Sequence, residues 1–186
     1  MAEKIEAEFI ENFLVVWDTA KGSELYKQGY YGKPIGIPKP KIMDFNVPLI
    51  LDLMEGSYLA EKEILTVQEG VKKKTKVSLK KLRQRARKLY EEFDIKYAVY
   101  RDLRDHGLIV TPGIKYGCDF AVYKRGPGVE HAPFMVSVKK TTDKVTATEI
   151  VKAGRLATTV RKRFIVAVPG LETEKIRYLI FKWFKA

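Results

Sequence analysis

Residues 113–138 read GIKYGCDFAVYKRGPGVEHAPFMVSV. Gly113 opens a turn, and Asp119 to Tyr123 reads as an alternating segment. The alternation breaks at Lys124-Arg125-Gly126-Pro127-Gly128, His131 follows, and Phe134 to Val138 alternates again. The pattern predicts two strands joined by a glycine-rich loop. Tyr123 ends the first strand and His131 begins the second, so an antiparallel return is expected to bring their side chains close. Lys124 and Arg125 lie in the loop between them. A phenol, an imidazole and a basic rim suit acid–base chemistry on a phosphodiester.

The chain has 186 residues, enough for one domain or two small ones. With 46% apolar and 31% charged residues its composition is that of a globular protein. A net charge of +12 points to a polyanionic partner, most simply nucleic acid, although a generally basic proteome would give the same balance. Cys118 is the only cysteine, which excludes an intramolecular disulfide; without metal-ligand companions it reads as a small packed residue. No apolar run approaches the ~20 residues that span a bilayer. The N-terminus, MAEKIEAEFI, lacks the basic-then-apolar order of a signal peptide, so the chain reads as cytoplasmic.

Outward from the central stretch, Ile5 to Trp17 predicts one or two short strands, Asp18 to Gly22 a turn, and Ser23 to Tyr31 a short helix or irregular link. Lys33 to Lys41, rich in proline and glycine, predicts a basic surface loop. Asn46 is expected to cap a helix running to Leu59, with Pro48 in its first turn. Ile64 to Glu69 predicts a strand, and Lys72 to Lys76 a basic turn. Leu79 to Phe93 predicts a basic helix whose charges spread around its circumference, a pattern that favours a solvated face over a nucleic-acid contact. Asp94 to Gly107 predicts a further helix stopped by Gly107. A domain boundary is expected between Glu92 and Lys96, giving units 1–93 and 94–186. From there the order predicted is helix, strand, strand, helix (Thr146–Arg161), strand (Phe164–Val168), strand (Ile176–Phe184). The last strand is apolar on both faces, which predicts a subunit interface.

The segment YAVYRDLRDHGLIVTPGIKYGCDFAVYKRGPG, then His131 in EHAPFMVSV, then GRLATTVRKRFIVAV, resembles the catalytic domain of the archaeal tRNA-splicing endonucleases. The resemblance covers Tyr97 to Val168 nearly without a break; the first half is similar only in layout. It implies an α+β architecture: a small mixed α/β N-terminal domain, then a restriction-endonuclease-like α/β domain with a central mixed sheet. It implies cleavage of precursor tRNA at the bulge–helix–bulge motif of an intron, leaving a 2′,3′-cyclic phosphate and a 5′-hydroxyl, with no metal or other cofactor.

The family's tyrosine, histidine and lysine fall on Tyr123 in DFAVYKRG, His131, and Lys162 in TTVRKRF. Tyr116, in the preceding KYG, reads as a packing residue, and His106 as a helix C-terminal residue. In the attack of a 2′-hydroxyl on the neighbouring phosphorus, a lysine ammonium suits the phosphoryl charge. An imidazole suits the general acid. Tyr123 is then the general base, which requires a phenol pKa lowered from ~10, an effect expected of Lys162, Lys124 and Arg125. The set of three is better supported than the division of roles.

The resemblance also places Arg155 and Arg177 at positions where family arginines, from the opposite subunit, sandwich an extruded base. The loop from Lys33 to Lys41 resembles the insertion of the heterotetrameric branch, two catalytic plus two structural subunits, and implies an RNA contact from Lys33, Lys39 or Lys41. Two other readings compete. A restriction-type metal nuclease needs an acidic residue two positions before a lysine on the second strand; Ser137 stands there before Lys139, and Asp119 alone is a weak ligand set. A non-catalytic RNA-binding subunit of the same fold is expected to lose the three residues that this chain keeps.

Overall fold

The computed structural model describes residues 4–38, 40, 42–70, 73–159, 162–170 and 175–181. They form two compact units, Met1–Phe93 and Asp94–Ala186.

The first unit contains β1 (Ile5–Ile10), β2 (Phe13–Val16), α1 (Thr19–Gly29), β3 (Lys33–Pro34), β4 (Leu49–Leu51), α2 (Leu53–Glu61), β5 (Leu65–Glu69), β6 (Thr75–Lys76) and α3 (Leu79–Leu89). Its sheet runs β3-β4-β2-β1-β5-β6, with β1 and β5 parallel and the other pairs antiparallel. Alternation puts Leu14, Val16, Leu49 and Leu51 on one buried face, where α2 packs with Gly56 against Leu14. Each such side chain contributes about 1.5–3 kcal/mol on burial.

Two expectations for this unit are corrected. Asp18 to Gly22 is no turn: the Asp18 carboxylate accepts the Lys21 N–H at 3.0 Å and starts α1 one residue later. The helix expected from Asn46 begins instead after Asp52. The apolar run Leu49–Leu51 pairs with β2 as a strand. Asp52 and Glu55 then form a reciprocal capping box, legible in the sequence as Asp-x-x-Glu. The basic helix α3 buries Leu82 and Ala86. Three of its cations are taken by carboxylates: Lys81 by Glu69, Arg83 by Glu61 at 2.5 Å and Arg85 by Glu69 at 2.5 Å. Arg85 also lies 4.2 Å from the Phe9 ring centroid. These charges serve the surface of their own unit.

The second unit contains α4 (Phe93–Asp105), β7 (Ile109–Pro112), a 3₁₀ turn (Ile114–Tyr116), β8 (Phe120–Tyr123), β9 (Phe134–Val138), α5 (Ala147–Thr159), β10 (Arg163–Pro169) and β11 (Ile176–Phe181). Its sheet runs β11-β10-β9-β8-β7. Only β9 and β10 are parallel, and α5 is the crossover such a pair requires. Tyr97, Val99, Tyr100 and Leu103 of α4 are buried.

The strand β7 was absent from the expected order. Its Pro112 argues against a strand in sequence, but β7 lies at the sheet edge, where a missing N–H is tolerated. At the opposite edge, β11 leaves Leu179 and Ile180 half exposed, while the Tyr178 hydroxyl donates to Asp102 Oδ2 at 2.5 Å. The rest of the expected strand, 182–184, lies outside the described residues. Among the described residues no helix is long and apolar enough to cross a membrane.

Candidate active site

The sheet register builds the site. Val122 pairs with Phe134 and Phe134 with Arg163; one residue further in, Ala121 pairs with Met135 and Met135 with Phe164. Side chains alternate between faces, so Tyr123 and Lys162 share the face of the Ala121–Met135–Phe164 row. Each lies one residue beyond the last paired row, with Pro133 between them. The Pro133 carbonyl accepts the Arg163 N–H at 2.9 Å, which fixes where Lys162 leaves the crossover. Met135, Ala121 and Ala132 form the buried floor, and Tyr116, Cys118, Tyr123 and Phe164 pack on it.

Lys162 is 8% exposed, unusual for an ammonium. Among the described residues no carboxylate pairs with it; its neighbour is the Tyr116 ring, with Nζ 4.3 Å from the centroid. A desolvated cation against an aromatic face, with no anion, is poised to accept one.

Tyr116 reaches this position through a tight local turn. The Gly113 carbonyl accepts the N–H groups of Tyr116 at 2.8 Å and Cys118 at 3.4 Å, and the Gly113 N–H donates to Asp119 at 2.8 Å. A Cβ on Gly113 would come 2.6 Å from Cys118 Sγ and 2.8 Å from backbone atoms, so only glycine closes the turn. The packing role expected for Tyr116 is therefore incomplete: its ring is the partner of Lys162. The signal was available in its spacing, seven residues before Tyr123, but the intervening turn hides it from a periodicity argument.

Between β8 and β9 the loop is closed by Glu130. Its Oε1 accepts the Lys124 and Arg125 N–H groups, each at 2.6 Å, and Arg125 Nε lies 3.8 Å from Oε2. These backbone bonds, chiefly that of Arg125, hold the Glu130 carboxyl below the usual range. The next residue, His131, is exposed at the rim. Sequence reasoning passed over Glu130, whose place in the loop, but not its partners, was visible.

The expected electrostatics of Tyr123 are reversed. Its phenol is pushed above the ordinary value, first by burial, then by the adjacent Tyr116 and by Glu130; a hydrogen bond with the Thr111 side chain pulls the other way. Alternation explains why the loop cations do not help. Lys124 points to the opposite face, 6.0 Å from the Phe134 ring centroid with Arg163 at 5.9 Å, and Arg125 is turned to Glu130.

Thr146 and Glu149 cap α5 reciprocally, and Glu149 also takes Lys139 at 2.6 Å. Lys139 first, then Thr146, holds its carboxyl at about 2. Arg155 is exposed on α5. Arg177, exposed on β11, sits opposite Val168, near the other end of β10 from Lys162 and roughly 20 Å away at about 3.3 Å per residue. One chain therefore does not bring Arg177 to Tyr123 and Lys162. Lys33 is exposed on the edge strand β3; Lys39 and Lys41 lie outside the described residues.

Comparison with known proteins matches both halves of the chain. Residues 93–178 match the catalytic C-terminal domain of the tRNA intron endonucleases, and residues 5–82 match the N-terminal domain of the same enzymes. The chain belongs to the tRNA intron endonuclease family. A tRNA-splicing endonuclease of Hyperthermus butylicus is 49% identical over 92% of this chain and 93% of its own length. Those of Sulfurisphaera tokodaii and Saccharolobus islandicus are 41% and 39% identical, over 96% and 97% of this chain and 98% and 99% of their own lengths.

Proposed function

We propose that the chain is a tRNA-splicing endoribonuclease that cuts precursor tRNA at the intron bulge–helix–bulge motif, with Tyr123, His131 and Lys162 as its catalytic residues. The observation that carries the reading is Lys162, a buried ammonium with no carboxylate among the described residues, on the same sheet face as Tyr123. A phosphoryl group bearing developing negative charge is the ligand such a site lacks.

In this reaction the 2′-oxygen attacks the adjacent phosphorus, loses its proton to a base, and closes the 2′,3′-cyclic phosphate. The bond to the 5′-oxygen breaks as that oxygen takes a proton. Lys162 stabilises the phosphoryl oxygens, His131 at the exposed rim reaches the leaving group, and Tyr123 serves the attacking hydroxyl. No step requires a metal. Cleavage of precursor tRNA in saturating chelator is expected to proceed and to yield cyclic-phosphate and 5′-hydroxyl ends. A chemical step strictly dependent on magnesium would favour the metal-nuclease reading instead.

The arginines belong to the same proposal. Arg155 and Arg177 clamp an extruded bulge base at the active site of another subunit, which the distance of Arg177 from Lys162 along β10 supports. The assembly pairs two catalytic with two structural chains; the half-exposed Leu179 and Ile180 on edge strand β11 supply an apolar surface for such pairing. A lysine of the loop from Lys33 to Lys41 adds an RNA contact. Base–guanidinium stacking is worth ~1–3 kcal/mol per base, so removing both arginines is expected to slow cleavage by about tenfold or more. Mixing a Lys162→Ala chain with an Arg155→Ala/Arg177→Ala chain tests action in trans: recovered activity in mixed assemblies is the expected result, and mixed assemblies that stay inactive would place the clamp in cis.

A further inference from the structure

The surroundings of Lys162 assign a role to a residue outside the three. We propose that Tyr116 is a positioning residue whose ring face holds the Lys162 ammonium on the row it shares with Tyr123. The inference rests on the reading of Lys162 as the phosphoryl-stabilising group.

Four observations converge. Lys162 Nζ lies 4.3 Å from the Tyr116 ring centroid, well inside the ~6 Å range of cation–π attraction. Lys162 is 8% exposed, so the contact is desolvated and not a surface coincidence. No carboxylate among the described residues competes for the ammonium. The backbone that carries Tyr116 is fixed by the Gly113 turn, and the ring packs on the Ala121–Ala132–Met135 floor beside Tyr123.

The choice of an aromatic ring over a carboxylate has a chemical consequence. A carboxylate would hold Lys162 firmly but neutralise it and repel the phosphodiester. A ring face orients the cation through its quadrupole and leaves the full charge for the incoming phosphoryl oxygens. A lysine has four rotatable bonds, and fixing its head before substrate arrives lowers the ordering cost of the transition state. Tyr116 also lies near enough to Tyr123 to raise its phenol, so one residue touches the surroundings of two members of the site.

The test is single-turnover cleavage of precursor tRNA by the assembled protein, with RNA binding measured in parallel. Tyr116→Leu is expected to lower the maximal rate by about tenfold, the loss of one desolvated cation–π contact, while binding changes little. Tyr116→Phe keeps the ring and is expected to retain the rate within a factor of about two. Because Tyr116→Leu removes floor packing, the deciding series places phenylalanines of increasing ring fluorination at position 116. These keep shape and volume while weakening the quadrupole, and the rate is expected to fall stepwise with each fluorine. A rate indifferent to fluorination overturns the proposal, as does a Tyr116→Phe variant as slow as Tyr116→Leu, which would place the function in the hydroxyl. Lys162→Ala is measured alongside. If it cleaves at the wild-type rate, the reading of the site itself fails. If it is inactive while the fluorinated series is flat, only the role of Tyr116 fails.

Discussion

Lys162→Met is expected to slow cleavage of bound precursor tRNA by about 10²-fold or more, and at the same time to leave the fold as stable as before or more so. The first effect follows from chemistry. The ammonium is the buried cation of the row that also carries Tyr123, and charge on the phosphoryl oxygens grows as the 2′-oxygen attacks. An interaction that strengthens only in the transition state appears in the rate and not in binding, so affinity for RNA should change little. The second effect follows from burial. Lys162 is 8% exposed and has no carboxylate partner among the described residues, so folding desolvates a charge without an ion pair to offset it. Methionine fills a similar volume with no such cost. Thermal unfolding should show an unchanged or higher midpoint, the signature of a residue retained for function at the expense of stability. A Lys162→Met chain that cleaves normally removes the residue from the site. One that unfolds readily would make its role structural.

Tyr123→Phe carries the second large effect, about 10²-fold or more on the rate, with a diagnostic pH dependence. Burial, Tyr116 and Glu130 raise its phenol above the ordinary value, so the protonated form dominates through neutral pH. If Tyr123 accepts the 2′-hydroxyl proton as phenolate, the single-turnover rate of a His131→Ala chain, which has no titrating general acid to offset the base, should climb about tenfold per pH unit from pH ~6 to ~9, because the active form is the minority species throughout. Adding Tyr123→Phe to that chain should leave it slow and flat across the range. A His131→Ala profile already flat there would assign Tyr123 to donating a hydrogen bond from its protonated form. A Tyr123→Phe variant at the wild-type rate would exclude the phenol altogether. Glu130→Gln offers a secondary check: removing that carboxylate charge should shift the profile toward lower pH.

Local sequence determined much of this protein. Short apolar runs at Phe120–Tyr123 and Phe134–Val138, glycine and proline between them, and the apolar stripe of α4 are written in short windows, and such runs and helical patterns report burial directly. The order of motifs from Tyr97 to Val168 is enough by itself to nominate Tyr123, His131 and Lys162 as candidates. Capping chemistry was equally local, although Asn46 drew attention from the Asp52–Glu55 box that starts α2.

Tertiary structure decided what depends on which residues meet. Whether Leu49–Leu51 is helix or strand was settled by β2 offering a paired edge, since a short apolar run satisfies either pattern. Pro112 could belong to a strand only because β7 is at the edge of its sheet. The proton affinity of Tyr123 turned on which face each neighbour takes: Lys124, adjacent in sequence, points away, while Tyr116, seven residues earlier, is beside it. The placing of Lys162 against the Tyr116 ring joins the entry to β8 with the entry to β10. Residue types are fixed by the chain itself, but electric fields and contacts are properties of distance in space. In a sheet, adjacent residues face opposite ways while remote strands lie side by side.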